Sequence, residues 1–185
     1  IGAQYAHLSA KEGNNLILVS NQPKPLQELS EKLATQYGIT VKYLDIDLSA
    51  TDAAECIFDF ATALGEVDCL ISNAGVLHCG KFCNATPEYI DFITALHCTT
   101  PMKLCRLFGA DMASRRCGKI LIMCSMTAWT PYPTMSLYGS TKVLLKNFAQ
   151  SLWYELRECG VSVTTVFPGA VDTPLYNLDT TTRKV

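Results

Sequence analysis

Five short apolar runs, separated by longer stretches of helical periodicity, constrain this fold more than any other feature of the chain. The runs are NLILVS at 15–20, VKYLDI at 41–46, VDCLIS at 67–72, KILIMC at 119–124 and VSVTTVF at 161–167. Each is short, rich in Val, Ile and Leu, and nearly continuous, which is the pattern of strands covered on both faces. Helical patterns lie near 3–12, 23–37, 50–64, 86–113 and 136–159, and Leu26, Leu29 and Leu33 recur at helical spacing in the second. Ser49 and Thr51 are expected caps for the third helix. Thr86-Pro87-Glu88 starts the fourth with a cap and a proline at the first helical position. Gly160 closes the fifth after Cys159. Strand–helix alternation of this regularity predicts βαβ units and a doubly wound parallel α/β sheet, built as a single domain over residues 1–185.

Composition narrows the function classes. Hydrophobic residues make up 49% of the 185, enough for one core, and only 17% are charged, too few for disorder. The net charge of −2 carries no Lys/Arg run, so nucleic acid is a poor partner. No apolar run is long enough to span a membrane, and Ile1-Gly2-Ala3-Gln4 has no signal-peptide character. The chain begins without Met and reads as a fragment or a processed chain. The nine cysteines are odd in number and irregular in spacing, with no C-x-x-C. They read as small hydrophobes of a reducing, cytoplasmic compartment. His78, Cys79 and Cys83, with His97 and Cys98, are metal-ligand types without metal-ligand spacing, so no metal is expected.

In doubly wound sheets the ligand lies beyond the carboxyl ends of the strands, so the residues following each run carry the function. After the first come Ser20, Asn21 and Gln22, with Lys24 close by. Where an acid would bind a ribose 2′-hydroxyl, Asn21 brings no negative charge, which leans toward a phosphorylated ribose. The same residues also serve as a plain polar turn before Pro23. Asp47-Leu48 follow the second run and Asn73-Ala74-Gly75 the third; Ala and Gly let another group approach the backbone. Ser125 follows the fourth, and Phe167 through Pro174, broken by two prolines and a glycine, the fifth.

At about 100° per residue, Tyr138, Lys142, Leu145, Ala149, Leu152 and Leu156 share one face of the last helix. Ser140, Asn147, Ser151, Glu155 and Glu158 fall opposite. Lys142 therefore lies on the apolar face and near the N-terminus, where the helix dipole disfavours a cation. A stem that snorkels to water is one account of it; chemistry is the other. A tyrosine titrates near ~10, too high for a base near neutrality, and a nearby ammonium favours the phenolate. Tyr138 could then exchange a proton with an alcohol or carbonyl oxygen that Ser125 holds in place.

Asn73-Ala74-Gly75, Ser125, Tyr138-x-x-x-Lys142 and Pro168-Gly169 through Thr173, in this order and spacing, resemble the motifs of the short-chain dehydrogenase/reductase family. The resemblance covers essentially the whole chain. It implies a Rossmann-like three-layer fold and transfer of a hydride between NAD(P)(H) and a carbonyl or hydroxyl carbon. Tyr138 would be the acid/base, Ser125 the substrate-oxygen binder, and Lys142 the residue that binds the nicotinamide ribose and tunes Tyr138. Asp47 and Leu48 would contact the adenine, and Pro168, Gly169, Val171 and Thr173 the nicotinamide end. Asn21 and Gln22 would face the ribose of NADP, with NAD as the alternative cofactor. A homodimer or homotetramer is also implied, through helices 86–113 and 136–159, with Leu144, Phe148 and Trp153 as candidate surface.

Three departures stand out. Ile1-Gly2 resembles only the end of the family's Gly-rich turn, so the first strand and most of the pyrophosphate cradle are missing. Weak cofactor binding and an open sheet edge are expected. His97 stands where the family often has Asn, and either joins a proton relay to Lys142 or simply fills the site. The sequence also stops soon after Thr173, so the segment that sets substrate identity is not read. A catalytically silent nucleotide-binding sensor or scaffold is the competing function. A serine hydrolase is disfavoured because Ser125 stands in no G-x-S-x-G elbow.

Overall fold

The computed structural model describes residues 1–77 and 79–171. Its strands are β1 (Leu16–Ser20), β2 (Val41–Asp45), β3 (Cys69–Ser72), β4 (Gly118–Met123) and β5 (Val161–Val166). Every pairing is parallel, and the strands form two groups, β1–β2 and β3–β4–β5. Leu18 stands opposite Tyr43 in the first, and Ile120 opposite Leu70 and Val163 in the second. Among the described residues β1, β2, β3 and β5 each keep one edge without a strand partner. Burial departs from the expectation of strands covered on both faces. Central β4 buries Ile120 and Ile122, whereas β1 and β3 are only half-buried and Cys69 is exposed.

The helices are α1 (Gly2–Lys11), α2 (Pro23–Tyr37), α3 (Ala53–Thr62), α4 (Pro87–Thr94), α5 (Thr100–Arg115) and α6 (Ser136–Leu156). Two faces of one strand serve two layers, as period-two side chains require. Leu16 and Leu18 of β1 meet Ala6 and Ala10 of α1 and Leu33 of α2. Ile17 and Val19 turn the other way, into the cluster built by Ile57, Leu104, Phe108, Met112, Leu145 and Ala149. Both strand groups thus share one apolar core. Each fully buried aliphatic or aromatic side chain there contributes roughly 1.5–3 kcal/mol.

Local chemistry sets the ends. The Thr86 hydroxyl accepts the Tyr89 N–H, with Pro87 next to it, and α4 starts there as the sequence predicts. The caps expected for α3 are not used. Ser49 turns back on Asp47 instead, and α3 starts after Asp52 without a side-chain cap. The helix expected over 86–113 is interrupted at Ala95–Thr99 by a π turn. Pro101 explains part of this, since it has no N–H to give the carbonyl four residues earlier. Gly160 sits at φ 76°, and a Cβ there would collide with the Arg116 carbonyl. No helix among the described residues is long and apolar enough to cross a membrane.

Candidate active site

Because all strands run parallel, their carboxyl ends gather the expected site residues along one edge. At the first group, the Ile46 N–H donates to the Ser20 carbonyl at 3.1 Å, which keeps the loops after β1 and β2 together. Asn21 and Gln22 are exposed there, and the Gln22 N–H donates to Ser20 Oγ at 3.2 Å. Asp47 is also exposed. Its Oδ1 accepts the Ser49 N–H and hydroxyl, both at 2.8 Å, and these bonds hold the carboxyl below its ordinary 3.8. Leu48 packs toward the core while its carbonyl accepts the Thr100 hydroxyl at 2.8 Å. After β3 come Asn73, Ala74 and Gly75. A Cβ on Gly2 would stand 2.7 Å from Asn73 Nδ2, so the start of α1 closes onto this loop. After β5, the Pro168 carbonyl accepts the Met126 N–H at 3.2 Å, and a Cβ on Gly169 would approach Met126 Sδ at 3.3 Å. Val171 is exposed, and Thr173 lies outside the described residues.

Ser125, at the end of β4, is buried, and its Oγ accepts the Thr127 N–H at 3.2 Å. Its own hydrogen therefore remains for another acceptor. Tyr138 and Lys142 are buried on the inner face of α6, with Leu145 and Ala149 beyond them. Lys142 is 5% exposed; its Nζ donates to the Met123 carbonyl at 3.2 Å and lies 5.6 Å from the Tyr138 ring centroid. Burial, which disfavours the ammonium, lowers its pKa below the ordinary 10.5. The Cys124 thiol donates to the Lys142 carbonyl at 3.1 Å, and Lys146 Nζ to the Ala128 carbonyl at 3.3 Å. These bonds lace the first turns of α6, which carry Tyr138, to the end of β4, which Ser125 follows.

His97, in the π turn, is 1% exposed. Its Nε2 accepts the Val76 N–H at 2.9 Å, and its Nδ1 lies 3.0 Å from Thr141 Oγ1. Thr141 in turn donates to the Tyr138 carbonyl at 2.8 Å. The ring stands edge-on to Tyr138, centroids 5.8 Å apart, and a Cβ on Gly75 would stand 3.0 Å from Nε2. Gly75 is thus small for the sake of His97. Burial, and next the Lys142 charge, push the imidazole pKa down to about 3. Thr141 and the Met123 carbonyl are site members that sequence reasoning missed. A threonine in a helix ordinarily bonds its own backbone, and nothing in sequence pairs it with His97.

All nine cysteines are free thiols, and Cys79 and Cys83 are exposed. Among the described residues no group of three or more His, Cys, Asp or Glu side chains could hold a metal; His78 lies outside those residues. The edge thus offers a buried cation, two hydroxyls and small residues at points of close approach, suited to an alcohol or carbonyl beside a nucleotide.

Known proteins bear on this geometry. The profile of the family described as "short chain dehydrogenase" matches residues 1–184. Relatives include 17-beta-hydroxysteroid dehydrogenase type 3 of Mus musculus, 30% identical over 95% of this chain and 58% of its own length. Another is an uncharacterized oxidoreductase, YmfI, of Bacillus subtilis, 30% identical over 100% of this chain and 76% of its own length. The chain spans only 29% of the probable oxidoreductase EphD of Mycobacterium tuberculosis. A short-chain dehydrogenase from Sphingobium yanoikuyae, solved with NADPH, superposes at a TM-score of 0.93 and 28% identity, covering 100% of this chain and 74% of that one. A bulky-bulky ketone specific alcohol dehydrogenase from Comamonas testosteroni gives 0.88 at 28% identity, over 91% and 68%. With the profile and the fold both matched nearly end to end, this chain belongs to the short-chain dehydrogenase family.

Proposed function

We propose that this chain is the core of a nicotinamide-dependent oxidoreductase that interconverts a carbonyl and an alcohol, with NADP(H) preferred over NAD(H). One observation carries the reading: the buried Lys142 ammonium beside Tyr138, on the helix face laced to the Ser125 end of β4. A positive charge in that place favours the phenolate of Tyr138, which makes it a usable acid/base near neutrality. In reduction the Tyr138 hydroxyl gives its proton to the carbonyl oxygen; in oxidation the phenolate takes the proton of the alcohol. Ser125 donates its remaining hydrogen to the same oxygen and fixes the substrate.

The residues of the carboxyl edge fit a dinucleotide. Gly2 and Asn73 meet where a side chain would block approach. Asp47 and Leu48 would contact the adenine, Asn73 to Gly75 would let the dinucleotide approach the backbone, and Pro168, Gly169 and Val171 would hold the nicotinamide end. Lys142 has two N–H groups beyond the one given to Met123, enough for ribose hydroxyls. When bound, the cofactor supplies or accepts the hydride at the substrate carbon. Asn21, Gln22 and nearby Lys24 leave room for a 2′-phosphate without an opposing carboxylate at Asn21. The neighbour from Sphingobium yanoikuyae was solved with NADPH, which supports the same preference.

The rim beside Ser125 is apolar and open, with Met126 55% and Trp129 60% exposed. Apolar ketones are therefore the first substrates to try. Leu144 and Trp153 on the outer side of α6 are exposed, while Phe148 packs partly inward. The first two fit a contact between copies, as a dimer or tetramer of this family would need. The test uses the whole protein, wild type and Tyr138→Phe, against a ketone panel with NADPH and NADH, alongside calorimetric titration of each cofactor. Turnover abolished by the Phe change supports the mechanism, and turnover that survives it refutes it. Tighter binding of NAD(H) would sink the 2′-phosphate argument alone.

A further inference from the structure

We propose that His97 is a positioning residue: a neutral Nδ1–H imidazole that pins the Asn73–Val76 loop to the Tyr138 turn and carries no proton in the reaction. Its hydrogen-bond partners dictate the tautomer. The Val76 N–H can only donate, so Nε2, at 2.9 Å, must be a bare acceptor. Thr141 Oγ1 spends its single hydrogen on the Tyr138 carbonyl at 2.8 Å. Nδ1, 3.0 Å from the same oxygen, must then be the donor. The chain runs one way, from Val76 N–H through His97 and Thr141 to the Tyr138 carbonyl.

Both ends of that chain are backbone. Moving a proton along it would strip the Val76 amide and protonate the Tyr138 carbonyl, neither of which happens near neutral pH. The imidazole is therefore closed at both nitrogens to any relay. The groups that face it agree. Lys142 and Tyr138 look at it from α6, and Cys98 stands beside it in the π turn; a second cation would sit next to the Lys142 ammonium. From the loop after β3, Gly75 contributes only backbone, close enough that a Cβ would press on Nε2. The π turn supplies the extra residue that sets the ring in this slot. Through Val76 the ring fixes a loop on the cofactor side, and through Thr141 the backbone of Tyr138. It bridges the loop after β3 and the first turn of α6.

The experiment is 15N NMR of the whole protein labelled at histidine, with His97→Gln used to assign the signal. The expected result is one protonated and one bare ring nitrogen, the protonated one being Nδ1, unchanged from about pH 5 to about pH 9. An Nε2–H tautomer, or a titration in that range, overturns the proposal. This arm needs neither cofactor nor substrate. The kinetic arm rests on the oxidoreductase reading. His97→Gln keeps an acceptor for Val76, and His97→Asn keeps a donor for Thr141. Each should lower kcat/KM by about tenfold or more through misplacement, while the apparent pKa values of the pH–rate profile stay put. Loss of one limb of that profile in either variant would restore His97 as a proton carrier. If no substrate is found, the oxidoreductase reading fails while the tautomer result still decides the role of His97.

Discussion

Acid destabilisation isolates the burial of His97 from everything else in the molecule. The ring is 1% exposed, and burial, then the Lys142 charge, hold its pKa at about 3 against an ordinary 6.5. Between those values the unfolded chain binds the proton and the folded chain does not, so stability rises with pH across the window. The contribution is complete above the unfolded value of 6.5 and drains away as the pH falls toward about 3. From about pH 7.5 to about pH 4.5 the unfolded imidazole gains nearly one proton and the folded one almost none. At roughly 1.4 kcal/mol per unit, that costs about 2–3 kcal/mol, and the full window is on the order of 5 kcal/mol. A domain stable by roughly 5–15 kcal/mol would lose much of its margin. His97→Asn removes the effect. Asp47, Glu55 and Glu88, whose carboxyls are held low by hydrogen bonds, also give up stability as pH falls, but in both proteins alike. Urea unfolding at a series of pH values reads the difference. Wild type should lose about 2–3 kcal/mol more than the variant between about pH 7.5 and about pH 4.5. A difference under about 1 kcal/mol, or a variant that loses more than wild type, would show that the folded imidazole charges as readily as a free one.

Tyr138→Phe should lower kcat by about 100-fold or more while melting within a few degrees of wild type, as steady-state rates and calorimetry will read. Gly75→Ala places a Cβ 3.0 Å from His97 Nε2 and should destabilise by about 1–3 kcal/mol in urea, because ring and loop must part. Gly160→Ala faces both a φ of 76° and the Arg116 carbonyl, so a loss above about 2 kcal/mol is expected; a neutral result would mean the β5 approach shifts freely. Phe108→Ala, at a core position 2% exposed, should lose about 3–5 kcal/mol by the same assay.

What sequence displayed was whatever depends on near neighbours. Continuous apolar runs gave the five strands, and Thr86-Pro87 gave the start of α4 because a cap needs only residues three apart. The inward face of Lys142 was legible from helical angle alone, since Leu145 and Ala149 follow it at the right intervals. Local signals failed where a side chain had a choice. Ser49 looks like a cap, yet the Asp47 carboxylate takes both its N–H and its hydroxyl, so the helix begins later. The interruption of the long helix is a tertiary matter as well. His97 must reach a loop 21 residues away and a threonine 44 residues away, and the turn opens to let it.

His97 also shows why residue type alone misassigns chemistry. An imidazole that titrates near neutrality invites a relay, and its neighbourhood of Tyr138 and Lys142 strengthens the invitation. But a relay needs a group at each end that can lose and regain a proton. Here the ends are an amide and a carbonyl, and no reading of side chains could display them, because every residue has both. Lys142 is the contrasting case. Its bond to Met123 also ends on backbone, yet an ammonium keeps two further N–H groups and its charge. The same kind of anchor that would close His97 to proton transfer would leave Lys142 free to act on Tyr138, as the proposed function requires. The site therefore holds one basic group neutral and one charged within a shared buried space, and the charged one disfavours a second cation beside it.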